Sequence, residues 1–427
     1  MANGLAVAMS TRRRIARRLP TWWLAACVLG LLISSDYRFR SRDATLTLSG
    51  RPDLAVLVEV GVYASVALVA SIVVALTGKP QVAPRLLYAM WAAGGFLAVT
   101  TIYSPFGLFS LVRGTQLLIV IALAHVIAGR LAVPEFAILV RVFTVVVSLS
   151  AFLGVVFPFE RDGAAGDRFS WLHVHPVVAG LYLGVAILFL VGHLTGEGGR
   201  LHGLAWPRPV QWTLLIVCSG GLLATQTRGS IVATVVGCLV LFWSRSTPGQ
   251  RIDLLFGGGI AFALVAILGG GFILDFLQRG ESVERIATLN ARTGLWAQML
   301  RLWSEKPLFG HGLGASRGLL IDETGLGGGH NVGVNLLVDA GAIGLVLWTI
   351  LFFALIKYLL LLCRIERTRV VASTLLGATV LLLVNGLTTE DLVVPATLAS
   401  TWLFIIVAWT LVLLREAATD TGTSAQA

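Results

Sequence analysis

A handful of ionisable side chains in this sequence stand at places where charge is costly: Arg168, Arg228, Arg285, Arg292 and His330 lie between or beside long apolar runs. The planar fork of an arginine grips phosphate oxygens two at a time and keeps its charge when desolvated. Several arginines converging at one membrane face would therefore suit a diphosphate. His330 adds a different chemistry, because an imidazole accepts a proton near neutral pH and can activate a hydroxyl as a general base. Three glycines precede it and Asn331 follows, which permits close approach of backbone and ligand. Each residue also has a bland alternative: a snorkelling arginine at a short loop for Arg228, a solvated helix face for Arg285 and Arg292, and a helix-capping His-Asn pair for His330 and Asn331.

The local contexts differ. Arg228 sits in Thr225-Gln226-Thr227-Arg228-Gly229-Ser230, between apolar runs of about 15 residues that reach roughly 22 Å against a core of about 30 Å. This break is expected to dip below the membrane surface, with its polar side chains facing a cavity. Arg168 belongs to Asp167-Arg168-Phe169-Ser170-Trp171-Leu172-His173-Val174-His175-Pro176. His173 and His175 are two apart and would diverge on a helix, so they make a poor metal pair. Arg285 precedes Arg292 by a spacing that puts both on nearly one helix face. With His311 and Asn331, it forms the set of candidate supporting residues.

Two patterns are decoys. Gly314-Ala315-Ser316-Arg317-Gly318 matches the G-x-S-x-G nucleophile elbow, but that motif works at a strand-to-helix turn of a parallel sheet, which an all-helical chain lacks. No GxxxxGK loop and no H-E-x-x-H pair occurs, so ATP-driven transport and zinc proteolysis have no support. Cys27, Cys218, Cys238 and Cys363 sit in or beside apolar runs without short spacings, which supports neither a disulfide framework nor a zinc site. No metal and no cofactor is expected.

The elements that must hold these residues follow from composition. The chain has 427 residues, 56% apolar and 13% charged, about half the charge of a soluble globular chain. A water-soluble domain is excluded. The fold class is all-α, a polytopic membrane protein with about twelve spans near 21–35, 54–77, 86–103, 108–128, 136–157, 174–194, 210–225, 229–243, 254–274, 332–362, 370–389 and 394–414. Continuously apolar runs mark helices rather than barrel strands. The basic N-terminus, 1–20, resembles a signal peptide but reads as the flank of an uncleaved first span.

Positive loops stay cytoplasmic. Arg12, Arg13, Arg14, Arg17 and Arg18 lead the first span, and Arg200, Arg208, Arg245, Arg251, Arg364, Arg367 and Arg369 fall in alternate short loops, whereas the last opposite loop holds Glu390 and Asp391. Both termini, including the tail 415–427, are therefore expected inside. The net charge of +10 is then a topology signal, and no basic helix with interleaved aromatics points to nucleic acid. One outer segment, 275–331, is larger than the rest. Within it, Leu295, Trp296, Met299, Leu300 and Trp303 recur at helical spacing, which predicts an amphipathic helix from Arg292 to Trp303, stopped at Pro307. It is expected on the outer membrane surface or over a cavity mouth.

In Thr225-Gln226-Thr227-Arg228-Gly229-Ser230, Asn290-Ala291-Arg292-Thr293-Gly294-Leu295-Trp296, Lys306-Pro307-Leu308-Phe309-Gly310-His311-Gly312-Leu313-Gly314 and His330-Asn331, the chain resembles the bacterial O-antigen ligase and polymerase superfamily. The resemblance covers spans seven to ten, and the first five spans carry no matching motif. It implies a metal-independent, inverting glycosyltransferase at the outer face of the bacterial inner membrane, with a glycan on undecaprenyl diphosphate as donor. The acceptor would be a glycan or a lipid, which leaves ligase and polymerase both open, and membrane lipids surround the whole. The family's diphosphate-holding arginines map onto Arg228, Arg292 and Arg168, and its base onto His330. The alternative is a transporter or flippase of lipid-linked sugars, which predicts repetition between halves. The break at Arg228 and the long outer segment both fall in the second half, without counterparts in the first.

Overall fold

The computed structural model describes residues 22–37, 53–77, 84–130, 133–157, 168–173, 175–196, 206–278, 292–321 and 328–424. Among them the regular elements are helices, and the single strand-like feature is an isolated bridge between Tyr37 and His173. In chain order the helices are α1 (Trp23–Asp36), α2 (Leu54–Thr77), α3 (Pro84–Val99, continued by a 3₁₀ turn Thr100–Tyr103), α4 (Gly107–Arg130), α5 (Val133–Val156), α6 (Pro176–Leu194) and α7 (Arg208–Ala224). There follow α8 (Arg228–Arg245), α9 (Pro248–Gln278), α10 (Arg292–Glu305), the short α11 (Ala315–Gly318), α12 (Val332–Leu362), α13 (Glu366–Gly386) and α14 (Leu398–Ser424).

Every expected span falls on one of these helices, and α10 is the expected amphipathic one. Among the described residues, nine helices are long and apolar enough to cross a membrane. The chain is an all-α polytopic membrane protein. Helices are the form that satisfies backbone groups within each span, and hydroxyls inside spans follow suit: Thr144, Thr379 and Thr410 donate to the carbonyls four residues back. At 14 and 17 residues, α1 and α7 are short. α9 extends four residues beyond the expected span, so the large segment begins after Gln278 rather than at Asp275.

The core centres on α14, whose Trp402, Phe404 and Trp409 are fully buried. Phe136 stacks on Trp409 at 4.5 Å and Phe143 meets Trp402 edge-on. Its start is fixed by a buried carboxylate: Asp36 at the end of α1 accepts from Leu398 N–H at 2.8 Å and from the Tyr182 hydroxyl at 3.0 Å. α8 and α13 cross at two glycines, where a Cβ on Gly237 would stand 2.8 Å from the Gly377 carbonyl oxygen. Small residues let backbones approach in membranes, where dispersion replaces the hydrophobic drive. Gly237→Val is expected to cost about 1–3 kcal/mol through overpacking, read as a lower midpoint of thermal unfolding in detergent.

The expected tenth span is broken in two. Gly341, at φ 66° and ψ −168°, interrupts α12. The freed backbone groups are taken by 307–314: Ala342 N–H donates to Pro307 and Ile343 N–H to Leu308, while His311 N–H donates to Val338 and Gly312 N–H to Asp339. Gly310, Gly312 and Gly314 all have positive φ, a conformation that costs glycine nothing. The loop thereby lies on the break, where Gly310 approaches the Val338 and Asp339 backbone.

Candidate functional site

One end of the bundle gathers the polar groups: the start of α6, the turn between α7 and α8, the starts of α10, α12 and α14, and the end of α13. The 225–227 turn is a tight one. Thr225 Oγ1 donates to Leu222 O, Gln226 adopts φ 49°, and Thr227 Oγ1 donates to Pro176 O at 3.2 Å. Arg228 is therefore the first residue of α8 and half-buried, where the helix dipole adds partial positive charge. Its neighbour Gly229 lets Thr388 approach, and Arg292 Nη1 donates to the Thr388 carbonyl at 3.0 Å. The Thr388 backbone thus joins the surroundings of the two arginines. Burial lowers the Arg292 guanidinium below its ordinary value, opposed by the nearby Glu390 charge.

Arg168 commits two of its nitrogens to the turn itself, with Nε donating to Thr225 O and Nη2 to Thr227 Oγ1, both at 3.0 Å. It braces the segment that presents Arg228. His173 and His175 take structural positions. The first packs against the rings of Tyr37 and Tyr182, and the second caps α6 by accepting from Val177 N–H at 3.2 Å.

His330 is held from three sides. Asn331 caps α12, its Oδ1 accepting from Gly333 and Val334 N–H at 2.9 and 3.1 Å. The capping alternative therefore describes Asn331 but not His330, which precedes the cap at φ 47° with its ring about one-third exposed. Gly329 is fixed by α10 and α12: Trp296 Nε1 donates to its carbonyl at 2.7 Å, and Asn335 Oδ1 accepts its N–H at 2.9 Å. α10 owes its seat to Leu295 and Met299, buried with Ala315, Leu320 and Val338. The amphipathic helix packs its apolar face on the first half of α12 and so positions the histidine.

The third side is Glu390, which the sequence marks only as an acidic loop residue. Its Oε2 accepts His330 N–H at 3.1 Å and lies 3.4 Å from Nδ1. Gly328, at φ 107°, is what lets the carboxylate in, because a Cβ there would stand 2.8 Å from Oε1. Burial raises the Glu390 carboxyl, while Arg317 and the His330 N–H bond pull it down. Asp391 is pushed up to about 6 by burial and by the Glu390 charge. His330 itself falls below the ordinary histidine value, first through burial and then through Arg292. Both causes favour the neutral imidazole. A proton on Nδ1, facing Glu390, leaves Nε2 with its lone pair.

The remaining candidates separate clearly. His311 is buried and its Nε2 meets Leu302 O at 2.7 Å, hooking the loop to α10. Arg285 lies outside the described residues. The G-x-S-x-G segment is a glycine turn into α11 with Ser316 buried, and Asp339 accepts the Gly314 and Ser316 N–H groups at 3.1 and 2.6 Å. Asp339 and Glu390 are the buried carboxylates of this candidate site that sequence reasoning missed; the signal for Asp339 was a charge two residues before a glycine within an apolar run.

Residues 213–349 match the family described as O-antigen ligase. The chain is also similar to the O-antigen ligase of Pseudomonas aeruginosa PAO1, 28% identical over 152 residues, which cover 34% of this chain and 33% of that one. The matched family segment holds α8, α10, the 307–314 loop, His330 and the first part of α12 with its break, while Arg168, Thr388 and Glu390 lie outside it. These matches support membership of the chain in the O-antigen ligase superfamily.

Proposed function

We propose that this end of the bundle transfers a glycan from undecaprenyl diphosphate to an acceptor hydroxyl, at the outer face of a bacterial membrane and without a metal ion. The observation that carries the reading is the convergence of Arg292, Glu390 and His330, where one buried carboxylate positions an imidazole beside a guanidinium. Arg228 and Arg292 hold the donor diphosphate, assisted by the starts of α8 and α10, whose unsatisfied N–H groups favour anions. Nε2 of His330 takes the proton of the acceptor hydroxyl as its oxygen attacks the anomeric carbon from the face opposite the leaving group, which inverts the configuration. The bond from that carbon to the diphosphate oxygen breaks, and the arginines stabilise the charge that appears there. Glu390 is a positioning residue, and its charge offsets the imidazolium that forms.

The reading fixes a pH dependence. A depressed His330 is neutral above its own pKa and loses the lone pair below it, so the rate of transfer is flat at neutral pH and falls only on the acid side of the ordinary histidine range. Asp391, pushed up to about 6, shares that limb. The check is the pH profile of transfer by protein in nanodiscs, from a synthetic undecaprenyl diphosphate glycan, with EDTA in every buffer. A rate that falls instead as pH rises from 6.5 to 8, or one that EDTA abolishes and a divalent ion restores, contradicts it.

A further inference from the structure

Glu390 is buried, and its Oε2 accepts His330 N–H while its Oε1 accepts from no other described residue. An anion so placed is costly unless other groups compensate it. Beside it lies a small cavity, lined also by Arg113 of α4, Arg317 of α11, and Asn335 and Asp339 of α12. About 20 Å³ there can take the centre of a water molecule, which is room for one. We propose that one ordered water fills this cavity and links Arg317 to Glu390, and that Arg317 acts through it as a positioning residue, keeping the carboxylate charged beside His330. The proposal rests on the glycosyl-transfer reading and adds to it the group that maintains the partner of the base.

The hydrogen-bonding capacity of the walls fits a water. Asn335 is 1% exposed, and while its Oδ1 accepts from Gly329, its NH₂ donates to no described residue. Arg317 is half-buried and donates to no described residue. Glu390 and Asp339 are acceptors on the same lining. A water accepts from the two donors and donates to the two carboxylates, within the two to four bonds that a buried water makes.

Charge singles out Arg317. Arg113 is already matched, its Nη1 donating to Glu59 Oε1 at 2.8 Å and to Gln116 Oε1 at 2.9 Å. The other charged groups that act on Glu390 are Arg292, His330, Asp391 and Asp339. Of the cations, Arg317 does most to hold the Glu390 carboxyl down, ahead of Arg292. In the proposed reaction Arg292 is offset by the donor diphosphate, which leaves Arg317 to counter the carboxylate. Asp339 fixes the turn that carries Arg317, because it accepts the Gly314 and Ser316 N–H groups just before it.

The sign of the effect follows. Arg317 lowers both the Glu390 carboxyl and the His330 imidazole, so its loss lets both rise. Transfer needs Glu390 charged and His330 neutral, and each change moves the acid limb of the rate to higher pH.

The test uses full-length protein in nanodiscs. An infrared pH titration reads the protonated Glu390 carboxyl, assigned by its loss in Glu390→Gln, and needs no turnover. Wild-type Glu390 is expected to be charged at pH 7. Arg317→Gln is expected to raise both its titration and the acid limb of transfer by about one pH unit, and Arg317→Lys to keep both near wild type. A map sharp enough to resolve ordered water is expected to show one between Arg317 and Glu390. A protonated Glu390 in the wild type at pH 7, an Arg317→Gln titration like that of the wild type, a rate lowered equally at every pH, or no water in the map would overturn the proposal. The glycosyl-transfer reading fails separately, if His330→Ala keeps transfer at the wild-type rate.

Discussion

His330→Ala is expected to lower glycan transfer by about 10²–10⁴-fold, the range that one positioned general base supplies, while the protein folds and binds its donor. The geometry separates these effects. Glu390 takes the backbone N–H of residue 330, which alanine retains, and the α12 cap belongs to Asn331. The positive φ of 47° costs any residue with a Cβ about 1–2 kcal/mol, histidine as well as alanine, so the exchange itself adds little strain. Asparagine tolerates that conformation, so His330→Asn removes the base with less strain, and equal loss in both variants assigns the effect to the missing lone pair. Turnover is measured at saturating donor, with bound lipid quantified in parallel. If the loss appears in donor binding instead, His330 is a ligand for the carrier and the acceptor proton goes elsewhere.

Arg292→Ala and Arg228→Ala are expected to weaken the donor by about 10- to 100-fold each, from the 1.5–3 kcal/mol of a hydrogen bond to a charged group. The check is retention of undecaprenyl diphosphate by protein in nanodiscs. The two variants differ in a second readout. Arg292 holds the His330 pKa down, so its removal lets that pKa rise and moves the acid limb of the rate profile to higher pH. Arg168→Ala acts through the Thr225 and Thr227 bonds and is expected to loosen the turn, with a smaller loss of binding.

The helices were legible because lipid leaves the backbone few choices, and because Leu295, Trp296, Met299, Leu300 and Trp303 carry helical spacing within a polar segment. The break before Arg228 was legible from two short apolar runs meeting at Thr-Gln-Thr. What escaped is non-local. Glu390 lies sixty residues from His330 in sequence, and its acidity reads equally as a topology marker for an outer loop. The apolar run from Val332 to Leu362 gives no sign that Gly341 splits it, because the missing bonds are supplied by Pro307 and Leu308. Arg317 was hidden inside a serine motif whose serine is buried. Arg168 stood out in the sequence as a charge at the entrance of the sixth span, but its bonds to the turn depend on α7 and α8 meeting it.

The central claim is that the glycan leaves its carrier at this end of the bundle. It is tested most directly by the fate of a doubly labelled undecaprenyl diphosphate glycan, one label on the lipid and one on the sugar, in proteoliposomes supplied with acceptor. The account predicts that the labels part, with undecaprenyl diphosphate left in the membrane and the sugar joined to the acceptor in inverted configuration. Labels that stay together while the intact lipid crosses to the other leaflet would contradict it and make the protein a transporter.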